Sequence, residues 1–184
     1  METYISILRG INLGGHNSIQ MTSLKEIYEK LGFKKVVTYI QSGNVIFKAS
    51  KNESDLTLAK KIEAAILKKY KFNVPIIIRS FPEMEKIIST NPLVNQKEIN
   101  IERLHVTFLS ENPKQENLTI VKGIDFPPDQ FIIIEKEIYL HCPDGYGISK
   151  LSNNFFENKL KVIATTRNWR TVNKLADMAK DITS

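Results

Sequence analysis

From Thr3 to Arg79 the side-chain periodicity switches between two and 3.6 residues in a fixed order, and that order limits the fold more than any one residue does. Ile5 and Ile7 alternate with Tyr4, Ser6 and Leu8, as a strand requires. After the glycine-bearing stretch Gly10 to Gln20, Leu24, Ile27, Tyr28 and Leu31 recur at helical spacing. Ser23 and Glu26 stand as a capping box for that helix, and Gly32 ends it. Lys35 to Ile40 and Val45 to Lys48 read as strands joined by the turn Gln41-Ser42-Gly43-Asn44. Ser54 to Tyr70 is a long helix with Leu58, Ile62, Ala65, Ile66 and Tyr70 inward, and Val74 to Arg79 is a further strand. The sum is β-α-β-β-α-β, the ferredoxin-like split pattern.

Ser80, Pro82 and Glu83 start a short helix running to about Thr90, and the polar residues up to Asn100 form a linker. The order then recurs. Leu104, Val106 and Phe108 alternate with His105 and Thr107, and a helical stretch covers Lys114 to Val121. Gln130 to Ile134 and Ile138 to Cys142 form a hairpin. Ser149 to Leu160 is a helix, Val162 to Thr166 a strand and Asn168 to Lys180 a terminal helix. The expected fold is α+β, with two tandem ferredoxin-like (βαββαβ) halves, antiparallel sheets and a C-terminal helix. Its divisions are 1–80, a connecting helix and linker at 81–100, and 101–184. Arg79-Ser80-Phe81, Met84, Lys86 and Ile87 line up with Arg167-Asn168-Trp169, Val172, Lys174 and Leu175, 88 positions on, as an internal duplication would leave them.

Composition narrows the partners. With 42% hydrophobic and 25% charged residues, the chain is neither disordered nor low in complexity. It has no apolar run long enough for a bilayer and no basic-then-apolar leader, so no membrane partner is expected. The single cysteine, Cys142, fits a reducing cytoplasm. The net charge of +6 lies wholly within residues 1–92, much of it on Lys60, Lys61, Lys68, Lys69 and Lys71. A basic half attracts nucleic acid, acidic protein or phosphorylated small molecules, and the same lysines also serve as a solvated helix face.

In a ferredoxin-like sheet of order 4-1-3-2, the end of strand 1 lies beside the hairpin of strands 2 and 3. That brings Arg9, Asn12, Gly14, Gly15 and Asn17 beside Gln41, Ser42 and Asn44. Glycines let backbone N–H groups turn toward a ligand and Arg9 adds a fork of donors, so this end resembles an anion cradle; tight turns need the same glycines. The glycine spacing is neither a Walker loop nor a dinucleotide fingerprint. In the second half, Gly145, Gly147, Ser149 and Lys150 meet Arg167 and Asn168 at the opposite edge. Read as two helix N-termini, they suit phosphate or carboxylate, and Ser149 and Asn168 equally suit plain N-caps.

His105 and His141 sit in the polar register of paired strands, where their rings are expected to approach on an open sheet face. Cys142 reads as inward and inert. No nucleophile–base signature is present, catalytic residues are unassigned, and no metal site or cofactor is expected.

The stretches Tyr4 to Asn17, Met21, Tyr39 to Val45, Gly145-Tyr146-Gly147, Ser149-Lys150-Leu151, Phe155-Phe156-Glu157 and Ala164 to Trp169 resemble the bacterial family called domain of unknown function 1697. The resemblance implies a small cytoplasmic bacterial protein of two ferredoxin-like halves, and it brings no activity, cofactor or catalytic residue. The expected partner is an anionic, phosphate-bearing small molecule. The alternative is RNA or single-stranded DNA stacked on Tyr4 and Tyr39 of an open sheet face. Oligomeric state is not readable from these residues.

Overall fold

A computed structural model describes residues 1–183. The first sheet is built from β1 (Glu2–Leu8), β2 (Lys34–Tyr39), β3 (Asn44–Ala49) and β4 (Ile76–Ser80), in the order β2-β3-β1-β4. All its neighbours are antiparallel. Helix α1 (Met21–Lys30) joins β1 to β2, and α2 (Asp55–Tyr70) joins β3 to β4. Helix α3 (Phe81–Ser89) follows β4 directly. The second sheet holds β5 (Leu104–Leu109), β6 (Gln130–Ile134), β7 (Glu137–His141) and β8 (Ala164–Asn168), in the order β6-β7-β5-β8, again antiparallel throughout. Helix α4 (Gln115–Lys122) joins β5 to β6, α5 (Asn153–Leu160) precedes β8, and α6 (Trp169–Thr183) follows it.

The protein is therefore mixed α+β, with two four-stranded antiparallel sheets and six α-helices among the described residues. It divides into two compact units, one of Met1–Lys86 with Lys174–Ser184 and one of Ile87–Asn173. Both α3 and α6 begin in one unit and end in the other.

In the first unit, Tyr4 and Leu8 of β1 pack with Leu24, Tyr28, Phe47 and Ile62 in one core. The Ser6 hydroxyl meets the Tyr28 hydroxyl at 2.7 Å, which satisfies two polar groups that burial would otherwise leave costly. The other face of the sheet, with Ile5, Ile7, Ile46 and Ile77, is buried too. In the second unit, Leu109, Ile138, Leu140, Cys142, Phe156 and Leu160 form the core.

Two helix starts differ from the sequence reading. Helix α1 begins at Met21 with Gln20 as its N-cap, so Ser23 and Glu26 form no capping box. The Ser23 hydroxyl instead accepts from Lys69 Nζ. Helix α5 begins at Asn153, where Ser152 accepts the Phe155 N–H at 3.2 Å, and Tyr146–Ile148 forms only a short 3-10 turn. At α3 the box is made: the Ser80 N–H donates to Glu83 Oε2 at 2.8 Å.

Candidate ligand-binding site

In the first group, the loop after β1 is bonded to the β2–β3 turn. Leu8 N–H donates to Gly43 O at 2.9 Å, which fixes the end of β1 against the β2–β3 turn. The Asn12 side chain clips the loop in place, with Nδ2 donating to Gln41 O at 2.8 Å and to Ile19 O at 3.0 Å. Its Oδ1 accepts the Ile19 N–H at 2.8 Å. Asn17 Nδ2 donates to Gly10 O at 3.1 Å, and the buried Asn44 donates to Tyr39 O at 3.0 Å and Ser42 Oγ at 3.1 Å. These three asparagines hold the loop and the turn in place.

The loop is itself a miniature hairpin. Leu13 and His16 form an isolated bridge, with His16 N–H donating to Leu13 O at 2.9 Å. Between them Gly14 (φ 55°) and Gly15 (φ 82°) occupy the two positions where a two-residue turn needs positive φ. Both glycines are exposed, and neither N–H meets an acceptor among the described residues. Arg9 is half-buried at the base of the loop, its N–H donating to Pro75 O at 2.9 Å. The turn opposite contains a residue that periodicity and turn signals do not single out. Ile40 has φ 51° and is 47% exposed, an uncommon conformation for a β-branched side chain.

The second group is only partly assembled. Tyr146 Oη donates to Thr166 Oγ1 at 3.0 Å, so the Gly145–Lys150 segment does reach β8. Arg167 lies on the other face of that strand: it pairs with Val106, while Thr166 pairs with Thr107. Arg167 is buried and donates to Thr165 Oγ1 at 3.1 Å and Thr166 O at 2.9 Å. Asn168 is an N-cap, its Oδ1 accepting the Thr171 N–H at 2.8 Å. Ser149 opens no helix; it donates to Asp129 Oδ2 at 2.7 Å and accepts the Leu151 N–H at 3.0 Å. The cavity beside Gly145, Ser149 and Lys150, of about 370 Å³, also carries Asp125, Asp129 and Asp144. Three carboxylates against Lys150 repel an anion.

The histidines are apart. His141 pairs with Leu104 and His105 with Leu140, so the two rings project from opposite faces of the sheet. His105 stacks on Tyr146 at 4.9 Å between ring centroids. His141 is buried, its Nε2 accepting the Asn100 N–H at 3.3 Å while Nδ1 has no partner among the described residues. Burial lowers the proton affinity of both rings. Burial also pushes the Cys142 thiol up to about 11, which keeps it protonated and unreactive. Tyr4 and Tyr39 fare no better as a stacking pair. Tyr4 is buried against Phe47, and the pairings of β1, β2 and β3 put Tyr39 on the opposite face.

The match to a family model, Protein of unknown function (DUF1697), spans residues 1–139. The chain belongs to the DUF1697 family. That span includes the whole of the first site group and stops short of the second. A conserved bacterial protein from Streptococcus pneumoniae of known structure is similar in fold, at 24% identity and a TM-score of 0.73, over 97% of this chain and 98% of that one. No curated protein matches the sequence.

Proposed function

We propose that this DUF1697 protein consists of two tandem ferredoxin-like halves and binds an anionic, phosphate-bearing small molecule at the Arg9–Asn17 loop. The observation that carries the reading is the pair of exposed Gly14 and Gly15 N–H groups on a loop that Asn12 clips to Gln41. Preorganised backbone donors suit a phosphate because they need no reordering on binding. Arg9 at the base of the loop, with Gln41 and Ser42 in the turn to which Asn12 is bonded, would add side-chain donors. Charge favours the same unit. The first unit carries sixteen basic and ten acidic side chains, the second ten of each. The halves share strand order, and Arg79 and Arg167 occupy matching positions, opposite Ile5 and Val106 on the central strands.

Calorimetry and thermal-shift measurements against nucleotides and sugar phosphates test this. The expected result is a saturable stabilisation by one of them that Arg9→Ala weakens about tenfold or more. If no phosphate compound binds, or if Arg9→Ala binds as the wild type does, the reading fails. Binding to single-stranded nucleic acid alone, with a steep salt dependence, would replace it with the nucleic-acid alternative.

A further inference from the structure

The two sheets treat their hairpin edges differently. Edge strand β2 carries Lys34 and Lys35, has a register shift between Lys34 and Val37, and is tied at Lys35 Nζ to Ile182 O at 3.2 Å. Lysines and bulges are the devices that keep an edge from recruiting another strand. Edge strand β6 has none of them. Gln130 to Ile134 pair with β7 in unbroken register, and the strand reads Gln-Phe-Ile-Ile-Ile. The pair Ile134 and Glu137 closes a two-residue turn, so Ile134, Ile132 and Gln130 bond to β7, and the N–H and C=O groups of Phe131 and Ile133 turn to the free edge.

A groove of about 620 Å³ runs along that edge between β6 and Lys122–Asp125. At the Gln130 end it meets the cavity holding Asp129 and Asp144, with Asp125 and Asp129 common to both. We propose that β6 is a docking edge for an extended peptide of another protein, which adds to the sheet as an antiparallel strand. Main-chain hydrogen bonds to Phe131 and Ile133 would supply the affinity, and alternate side chains would contact the groove. An antiparallel strand places its C-terminal end over the aspartates, so the peptide carries a basic residue there.

The test is amide hydrogen exchange on the full chain with a synthetic peptide of about eight residues that alternates valine and threonine and ends in lysines. At saturation the Phe131 and Ile133 amides are expected to slow about tenfold or more. Ile133→Pro removes one outward donor, and Ile134→Lys, at an exposed position, adds an edge charge without touching the core; each should weaken the effect. Asp125→Asn should weaken it for the lysine-ended peptide and not for one ending in alanine. No slowing at either amide overturns the proposal, as does slowing that Ile134→Lys and Ile133→Pro both leave intact. Protection of the same amides without peptide, rising with protein concentration, also overturns it by assigning the edge to a second copy of the chain.

Discussion

A methyl group on Gly43 would lie 2.6 Å from Ile11 Cδ1 and 2.9 Å from Leu8 Cβ, at a φ of +81°. Gly15, at φ +82°, has open space around its missing Cβ. The same substitution therefore separates two costs. Gly43→Ala is expected to lose about 3 kcal/mol, from steric overlap and backbone strain together, and Gly15→Ala about 1 kcal/mol from strain alone. Urea titration of the two variants measures the difference. The histidines give a pH dependence of definite sign. Burial lowers the folded-state affinity of His141 and His105 for protons below that of the unfolded chain, so the unfolded chain binds more protons as the pH falls through 6.5. Their contribution is complete above 6.5, declines below it and levels off once the lowered folded values are passed. His141→Asn is expected to lose less stability between about pH 7 and about pH 5 than the wild type does.

Ser80 and Glu83 cap α3 reciprocally, with the Glu83 N–H donating to Ser80 Oγ at 3.4 Å. Ser80→Ala is expected to cost about 1 kcal/mol, measurable by thermal or urea unfolding. This capping box was legible because its two partners lie one helical turn apart. Strand order was legible for a similar reason: the two periodicities and the short turns leave few ways to connect such elements. What depends on distant residues was not legible. Ser23 and Glu26 have capping-box spacing, yet the Ser23 hydroxyl is taken by Lys69, 46 positions away. Ser149 opens the stretch read as a helix to Leu160, as an N-cap would, yet it turns to Asp129, 20 positions back. Alternation with apolar residues predicts both histidines on one face. A pairing of His105 with Leu140 instead of His141 moves one ring to the other side, since a one-residue change of register reverses the face.

Across the whole molecule, the chain leaves its first unit near Lys86 and returns to it at Lys174. The returning segment makes side-chain bonds there, Thr183 Oγ1 donating to Thr3 Oγ1 at 2.8 Å and Lys35 Nζ donating to Ile182 O at 3.2 Å. Removing residues 174–184 is therefore expected to speed amide exchange in β1 and β3, more than 100 residues away in sequence, by about tenfold or more. The positive charge of the first unit and the donors of its Gly14–Gly15 turn belong to one proposal, that this end of the molecule receives a phosphate. Backbone amide shifts of Gly14 and Gly15 during titration with a sugar phosphate measure it most directly. The expected result is saturable movement of both signals, with Gly145, which shares its cavity with three aspartates, unmoved. Still signals at Gly14 and Gly15, whether or not others move, would contradict it.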